Sequence, residues 1–266
     1  MKTNSMTGTV ADNAVNIYES CAFDQLLGDT LRPGGLDLTE RLAAAAGIGK
    51  AMKILDIACG KGTTALFLAR KYECQVTGID LSEQMISQAE SKVAEEGLSG
   101  MINFYRGDAE NLPFPDESFD VVVSECAFSL MPDKEKAAGE IHRVLRRSGR
   151  LAMTDIVLRG AVDNALRERA GTVCCMSGAV SVEDYTSLFT RAGFHSPYLE
   201  DHSDQLRKVA FRMGVSFGSM DGFMSHLPTG PCSRKISAKQ QGSAQAYLQF
   251  VKQGRPGYVL LIMSRN

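Results

Sequence analysis

Apolar and polar positions along this chain follow two periods in turn, and the change of period predicts strands separated by helices. Short apolar runs suit strands of a parallel sheet that are buried on both faces. Longer segments with apolar residues at helical spacing lie between them. The predicted strands cover residues 54–57, 75–79, 102–105, 120–124, 151–157, 194–199 and 256–263. The predicted helices cover residues 15–27, 36–46, 63–71, 82–97, 133–147 and 181–192, with helical stretches around 206–213 and 238–251.

This alternation of strand and helix is typical of α/β proteins and argues for one doubly wound, mostly parallel sheet rather than two domains. Ser82 and Asp133 are suitable N-caps for two of the helices, and Gly193 suits the C-terminal end of another. Two insertions interrupt the pattern, one at about 158–180 and the other at about 201–255. Substrate contacts are expected from these insertions.

The stretch from Lys53 to Asp80 joins a predicted strand, a glycine turn, a helix and a second strand. Gly60 and Gly62 allow a tight turn in which the backbone can approach a ligand closely. Asp80 ends the second strand eighteen residues after Gly62, where an acidic side chain accepts hydrogen bonds from ribose hydroxyls. Asp56, in the strand before the turn, would repel phosphates but suits a ligand with an ammonium group. The third glycine of a dinucleotide-binding turn is missing, so the stretch favours a nucleoside cofactor other than a dinucleotide.

This stretch resembles motif I of the class I S-adenosylmethionine (SAM)-dependent methyltransferases, D/E-x-G-x-G-x-G, with Ala58 in place of the first glycine. The resemblance extends over residues 53–157, through the Gly-Asp-Ala segment 107–109 and the turns 113–119 and 146–150. It implies a Rossmann-like, seven-stranded sheet whose last strand is antiparallel and lies at the sheet edge. It also implies SAM as the cofactor and S-adenosylhomocysteine as the product.

By the same resemblance, the residues that contact the cofactor follow the ends of the first four strands. They are Asp56, Ala58, Gly60, Gly62, Asp80, Leu81, Met85, Gly107, Asp108, Ala109, Ser124 and Glu125. Asp108 would accept the amino hydrogen of adenine, and Ala109 would add a backbone contact. In this family a segment before the sheet usually covers the cofactor, with Tyr18, Arg32 and Gly34–Gly35 as candidates for the methionine end. A surface helix and turn is an equally open interpretation of that segment.

The chain is accordingly divided into a tail with cofactor-covering helices, residues 1–50, and a SAM-binding catalytic domain, residues 51–266.

The 266 residues carry a net charge of −2 and a pI near 6.1, so the chain has no basic surface of the kind that binds nucleic acid. No apolar run approaches the roughly 20 residues of a membrane span, and residues 1–13 lack the apolar centre of a signal peptide. The seven cysteines are therefore expected to be reduced thiols in the cytoplasm. A small-molecule substrate is the expected partner.

Cysteines in the two insertions suggest the methyl acceptor. The segment Cys174–Ala179 (CCMSGA), followed by the Ala-Gly-Phe segment 192–194, resembles the C-x-x-G-A and A-G-F segments of the arsenite methyltransferases, in which the cysteine binds arsenic. Cys175 takes that position, and Cys126 lies in a segment similar to another of that family. Cys232 lies where a third thiol could come from the C-terminal part, and three thiolates suit a trivalent soft centre. No metal cofactor is predicted; Cys126, Cys175 and Cys232 are candidate ligands of a metalloid substrate.

These cysteines favour a soft nucleophile as the methyl acceptor, namely trivalent arsenic, a thiol or a selenol. A thiol or a metalloid is already nucleophilic near neutral pH and needs no base. Packing of these cysteines as small apolar side chains is the alternative interpretation. A carbon or oxygen acceptor, as in the quinone-biosynthesis methyltransferases that share the core motifs, would require a base, with Glu125, His202 or His226 as candidates. A SAM-binding sensor without catalytic activity is the alternative of another class.

Overall fold

A computed structural model of the chain describes residues 18, 25–170, 176, 178–219, 222 and 244–266. The strands are β1 (Lys53–Ile57), β2 (Gln75–Asp80), β3 (Ile102–Arg106), β4 (Phe119–Glu125), β5 (Leu145–Leu158), β6 (Phe194–Asp201) and β7 (Pro256–Arg265). The helices are α1 (Gly35–Ala46), α2 (Thr63–Tyr72), α3 (Glu83–Glu95), α4 (Lys134–Val144), α5 (Asn164–Ala170), α6 (Val182–Arg191), α7 (Ser203–Phe217) and α8 (Ala244–Gly254). Short 3-10 helices cover Gly28–Thr30 and Phe128–Leu130.

The strands form one seven-stranded sheet in the order β3-β2-β1-β4-β5-β7-β6. β3, β2, β1, β4 and β5 are parallel to one another, whereas β7 is antiparallel to both β5 and β6. This arrangement confirms the doubly wound α/β fold and the antiparallel last strand. It also brings the carboxyl ends of β1, β2, β3 and β4 to one edge of the sheet.

The expectation that the last strand lies at the sheet edge is wrong, because β6 occupies that position. β7 is buried along most of its length on both faces, which suits an interior strand. β6 is exposed over most of its length, and its ladder with β7 shifts register between His195 and Tyr198. An exposed, irregular strand is a common way to end a sheet.

The predicted starts of two helices are confirmed by side-chain caps. The hydroxyl of Ser82 accepts a hydrogen bond from the amide of Met85 at 3.0 Å, and the carboxylate of Asp133 caps α4 in the same way. The prediction that α4 continues to residue 147 is wrong. α4 ends at Val144 because Leu145 adopts an extended conformation and pairs with β4, opposite Phe119.

Two apolar layers cover the two faces of the sheet. One layer contains buried side chains from α1, α2, α3, α5 and α8, and the other contains those of α4 and α6. Within the second layer, the ring of Phe128 contacts those of Tyr185 and Phe189 at centroid distances of 5.9 and 4.9 Å. These contacts join the loop after β4 to α6.

The end of the first insertion packs against that same loop. A Cβ atom on Gly178 would lie 1.9 Å from the carbonyl oxygen of Ser129, which also accepts a hydrogen bond from Lys134 Nζ at 2.9 Å. Val180 then forms an isolated parallel bridge with Val157. Gly178 therefore fits only because it has no side chain.

Replacing Gly178 by alanine is expected to lower the free energy of unfolding by about 1–3 kcal/mol, the typical penalty for overpacking. Gly139 provides a matched control, since it lies on the exposed side of α4 with no atom within 4 Å of a built Cβ. Alanine at Gly139 should raise the free energy of unfolding by roughly 0.5–1 kcal/mol, because glycine disfavours a helix interior. Urea titrations of both variants check the opposite signs; equal effects would contradict the packing of Gly178.

Candidate functional site

A cavity of about 440 Å³ opens at the carboxyl ends of the parallel strands. Its walls come from the loops after β1, β2, β3 and β4, and from the segment that precedes α1. In open parallel sheets ligands bind outside this edge, at the point where the strand order reverses. Here the order reverses between β1 and β4.

The glycine turn after β1 forms one wall of the cavity and has left-handed backbone conformations. Ala58, Gly60 and Gly62 have φ values of 57°, 51° and 72°. A Cβ atom on Gly62 would lie 2.7 Å from the ring of Phe104 and 2.9 Å from Ala89. Gly62 is therefore required for close packing of the turn on β3 and α3, whereas Gly60 lies on the cavity wall.

Asp80 connects the glycine turn to the loop after β2. One carboxylate oxygen accepts a hydrogen bond from the amide of Gly60 at 2.9 Å, and the other accepts one from the amide of Ser82, also at 2.9 Å. Two carboxylate oxygens provide about four acceptor positions, so Asp80 can also accept hydrogen bonds from ligand hydroxyls. Its position on the cavity wall makes this geometry suitable for a ribose.

A buried acidic group lies deeper in the cavity, next to the glycine turn. Asp56 is almost fully buried, and its Oδ2 atom has no hydrogen-bond partner. Burial raises the pKa of Asp56 well above its ordinary value; nearby Glu125 raises it further, and Arg32 partly offsets both. A cationic group in the cavity would favour the ionised carboxylate.

Arg32 and Glu125 form a buried ion pair on the cavity wall. Their Nη2 and Oε2 atoms are 2.9 Å apart, and the two side chains are 7% and 4% exposed. Glu125 also accepts hydrogen bonds from the hydroxyls of Thr39 at 3.0 Å and Thr64 at 2.7 Å. These four side chains connect the segment before the sheet, α1, α2 and β4.

The unsatisfied atoms in this part of the cavity indicate a zwitterionic ligand. Asp56 Oδ2 lacks a donor, and Arg32 Nε is buried without an acceptor. Buried polar atoms are normally hydrogen-bonded. A ligand with an ammonium group and a carboxylate would satisfy both.

Residues 28–33, which we call the strap, form the cover of the cavity. The carbonyl of Asp29 accepts a hydrogen bond from the hydroxyl of Thr63 at 2.9 Å. The carboxylate of Asp29 lies 3.1 Å from Lys92 Nζ and 3.7 Å from Lys61 Nζ, and the hydrogen bond with Lys92 lowers the pKa of Asp29. Asp29 and Lys61 were not identified from the sequence, because their ion pair joins positions with no shared motif.

The cavity wall that follows β4 is mostly apolar. It contains Cys126, Ala127, Leu130, Met131 and Pro132. Cys126 is buried, has a φ of 59°, and donates its backbone amide to the carbonyl of Thr154 at 2.6 Å. This wall can contact an apolar acceptor.

Buried Asp155 supports the apolar wall from behind. It accepts hydrogen bonds from the amide and the hydroxyl of Ser129 at 2.7 and 2.8 Å. Burial raises the pKa of Asp155 to about 6, although these hydrogen bonds oppose the shift. Asp155 therefore fixes the 3-10 helix from which Leu130 projects.

The predicted cofactor residues fall into two groups. The following lie on the cavity wall: Tyr18, Asp56, Ala58, Gly60, Asp80, Leu81, Met85, Gly107, Asp108, Ala109 and Glu125. Gly62, Ser124 and Gly35 do not line it: Gly62 packs on β3, Ser124 is fully buried within the sheet, and Gly35 begins α1.

Only some of the candidate catalytic residues lie within the part of the chain that the structure describes. Cys126 lines the cavity, whereas His202 does not; its Nε2 atom lies 2.8 Å from Glu200 Oε2. Cys175, Cys232 and His226 lie outside the residues that the structure describes, as do Cys21, Cys174 and residues 1–13. Cys59 and Cys74 are buried, and Cys59, unlike Cys74, lines the cavity.

The described part of the chain contains no cluster of three or more histidine, cysteine, aspartate or glutamate side chains arranged to hold a metal ion. Among those same residues, no helix has the length and apolar character to cross a membrane.

Comparison with known proteins identifies relatives of the chain. A family model described as a methyltransferase domain matches residues 48–193. Methyltransferase GfsG of Streptomyces halstedii is 36% identical over 67% of this chain and 66% of its own length. The 27-O-demethylrifamycin SV methyltransferase of Amycolatopsis mediterranei is 30% identical over 90% of both chains. The arsenite methyltransferase of Halobacterium salinarum is 31% identical over 58% of this chain, but over 40% of its own length.

A solved structure has the same fold. Phosphoethanolamine N-methyltransferase 2 of Haemonchus contortus, in complex with S-adenosyl-L-methionine, superposes with a TM-score of 0.76 at 19% identity. The superposition covers 98% of this chain and 60% of that one. At this identity the likeness concerns the fold.

Proposed function

The chain belongs to the class I SAM-dependent methyltransferases, and on that premise we propose that it methylates an oxygen atom of a small, largely apolar organic acceptor. SAM is the cofactor, and it supplies an electrophilic methyl group on a sulfonium. The observation that carries the choice of oxygen is the alignment with the 27-O-demethylrifamycin SV methyltransferase over 90% of both chains. That alignment extends beyond the shared methyltransferase domain into the region where acceptor contacts are expected.

The residues on the cavity wall support an assignment for each part of the cofactor. Asp56 would hold the ammonium group and Arg32 the carboxylate of the methionine end, because each has an unsatisfied buried atom there. Asp80 would accept hydrogen bonds from the ribose hydroxyls. The loop that contains Asp108 and Ala109 would contact adenine.

The apolar wall supports the proposed chemistry. With SAM bound, the bond from the acceptor oxygen to the methyl carbon would form as the carbon–sulfur bond breaks, and the hydroxyl proton would pass to solvent. Ala127, Leu130 and Met131 would exclude water and position the acceptor, and positioning supplies much of the rate in such displacements. Among the described residues no histidine lines the cavity, and the carboxylate of Glu125 on its wall is paired with Arg32. The proposal therefore favours an acceptor with an acidic hydroxyl, such as a phenol.

Methylation of trivalent arsenic or a thiol is the second candidate function. Cys126 lines the cavity, and the arsenite methyltransferase is among the relatives. That relative aligns over 40% of its length, and Cys126 is the one candidate arsenic ligand that falls within the described residues. Cys59, Cys74 and Cys126 form no disulfide bond within the described residues, which supports a reducing compartment and the cytoplasm as the location.

We expect S-adenosylhomocysteine to form from SAM with apolar phenols, and not with arsenite plus thiol or with small thiols. The assay is run under reducing, anaerobic conditions with each acceptor class. Cys126→Ser should change phenol turnover by less than about threefold, because serine is nearly isosteric and a role in packing alone has a small effect.

Cys74→Ser is the matched control, since Cys74 is also buried but does not line the cavity. Turnover of arsenite or thiols that disappears in Cys126→Ser and persists in Cys74→Ser would overturn the oxygen proposal in favour of the soft nucleophile. Tight SAM binding with no turnover of any acceptor would instead support the sensor interpretation.

A further inference from the structure

The loop after β3 forms the side of the cavity assigned to adenine. Gly107, Asp108, Ala109 and Glu110 line the cavity, and the loop continues through residue 114; we call residues 107–114 the adenine-side loop. Asp108 stabilises its own turn, because its carboxylate accepts the amide of Glu110 at 2.9 Å. This hydrogen bond lies within the loop, so other contacts must hold the loop against the rest of the protein.

Glu140 and Arg143 on α4 hold the far half of the adenine-side loop through its backbone. Arg143 donates from Nη1 to the carbonyl of Phe114 at 2.7 Å and from Nη2 to the carbonyl of Leu112 at 3.0 Å. Glu140 accepts the amide of Leu112 at 2.8 Å. Three backbone groups of the loop are therefore bound by two side chains of one helix.

The two side chains are themselves held in a fixed geometry. Arg143 donates from Nε and Nη2 to the two carboxylate oxygens of Glu140 at 2.7 and 2.8 Å, and from Nη1 to Asp116 at 2.8 Å. Such two-point pairing of guanidinium and carboxylate is directional. The hydrogen bond from Arg143 lowers the pKa of Glu140, which keeps the carboxylate ionised.

The near half of the loop is bound to the start of the same helix. Glu110 lines the cavity and accepts the amide of Asp133, the N-cap of α4, at 2.8 Å. Both halves of the adenine-side loop therefore depend on the position of α4. Neither Glu140 nor Arg143 lines the cavity, so neither can contact a ligand there directly.

We propose that Glu140 and Arg143 are positioning residues that set the adenine-side loop for the nucleoside end of the cofactor. They bind the loop through backbone groups, so they fix its path whatever its side chains are. A displaced loop would move the Asp108 and Ala109 contacts away from the base. This inference rests on the proposed function, since it takes adenine to be the group that this loop contacts.

The test is Arg143→Met, which removes the donors and keeps most of the side-chain length. The dissociation constants of S-adenosylhomocysteine and of 5′-methylthioadenosine, which lacks the amino-acid end, are measured by calorimetry. Both should rise by about tenfold, the equivalent of about 1.4 kcal/mol, which is close to one charge-assisted hydrogen bond. Arg143→Lys should recover part of the loss, because lysine can donate to one carbonyl but cannot form the two-point pair.

Arg191→Met is the matched control, since Arg191 forms an exposed ion pair with Glu135 of the same helix and does not contact the loop. It should leave both dissociation constants unchanged. In turnover assays, Arg143→Met should raise KM for SAM, while kcat and KM for the acceptor stay near those of the unchanged protein.

A lower melting temperature in Arg143→Met with unchanged dissociation constants would overturn the inference and leave a purely structural role. If Arg143→Met does not fold, Glu140→Gln and Arg143→Lys are measured instead; unchanged affinities in both would overturn it equally. If the unchanged protein binds neither ligand, the proposed function fails as well. If it binds both and the variants bind equally well, only the positioning role fails.

Discussion

Replacing Asp80 by alanine is expected to weaken SAM binding by at least about a hundredfold, which corresponds to two lost charge-assisted hydrogen bonds of roughly 1.5–3 kcal/mol each. In the structure Asp80 accepts the amides of Gly60 and Ser82. The variant therefore loses the acceptor for ribose together with the restraint on two loops of the cavity. Titration calorimetry with S-adenosylhomocysteine measures the effect.

Asp120→Ala is the matched control for this prediction. Asp120 also belongs to a strand of the sheet, and it accepts the backbone amide of Lys53 at 2.7 Å and pairs with Arg146 at 2.7 Å. It lies at the amino end of β4, away from the cavity. A loss of stability without loss of affinity is expected there. Unchanged affinity in Asp80→Ala would refute the ribose assignment.

Replacing Asp56 by asparagine is expected to weaken SAM binding by about 10- to 100-fold, since a buried hydrogen bond to a charged group contributes roughly 1.5–3 kcal/mol. Asparagine keeps the shape of the side chain and removes its charge. The effect should be absent for 5′-methylthioadenosine, which has no ammonium group. This selectivity separates Asp56 from the residues that contact the nucleoside end.

Proton release on binding provides a second measure of the role of Asp56. Burial raises the pKa of Asp56 in the empty cavity, and an arriving ammonium group lowers it again. Binding therefore releases a proton at pH values between the lowered pKa of the complex and the raised pKa of the empty cavity, and affinity increases as the pH rises through that range. Calorimetry in two buffers of different ionisation enthalpy detects the released proton.

Asp155→Asn is the control for that experiment. Asp155 is also buried, with its pKa raised to about 6, but it has no position on the cavity wall. Both acids have a raised pKa in the folded state. The free energy of unfolding therefore falls as the pH rises from the ordinary aspartate pKa towards the raised pKa of each group. Only Asp56 should couple to the ligand. Proton release that persists in Asp56→Asn would contradict its assignment.

The strand–turn–helix–strand unit from Lys53 to Asp80 was predictable because its signals are local. Periodicity identifies its strands, glycines identify its turn, and Asp80 follows at a spacing that β-α-β geometry imposes. The caps at Ser82 and Asp133 were predictable for the same reason, since a cap depends on residues within one turn. In these segments, local preference and tertiary structure agree.

The errors concern features that depend on distant parts of the chain. The end of α4 depends on the pairing of Leu145 with Phe119 of β4, which overrides a helical pattern that continues past it. The interior position of β7 depends on both neighbouring strands. The ion pair of Arg32 with Glu125 joins positions far apart in the sequence, and no motif spacing predicts it.

The residues around the methyl acceptor could not be predicted from the sequence for a different reason. The resemblance to the arsenite methyltransferases suggests three thiols around one soft atom, but a resemblance of segments does not determine whether side chains converge. Cys126 reaches the cavity because β4 ends there and the backbone turns with a positive φ. For the acceptor side, the chemistry of the wall is more informative than the residue types in the sequence.

The way the strap is held affects how the cofactor binds and leaves. It is held to the glycine turn and α3 by side chains of Lys61, Thr63 and Lys92, and to β4 by the buried ion pair of Arg32 with Glu125, without strand pairing. Local opening of such a segment leaves the sheet intact. We expect the strap to open when S-adenosylhomocysteine is exchanged for SAM, and this opening requires the ion pair of Arg32 with Glu125 to break. Release of S-adenosylhomocysteine, rather than methyl transfer itself, would then be the rate-limiting step of the catalytic cycle.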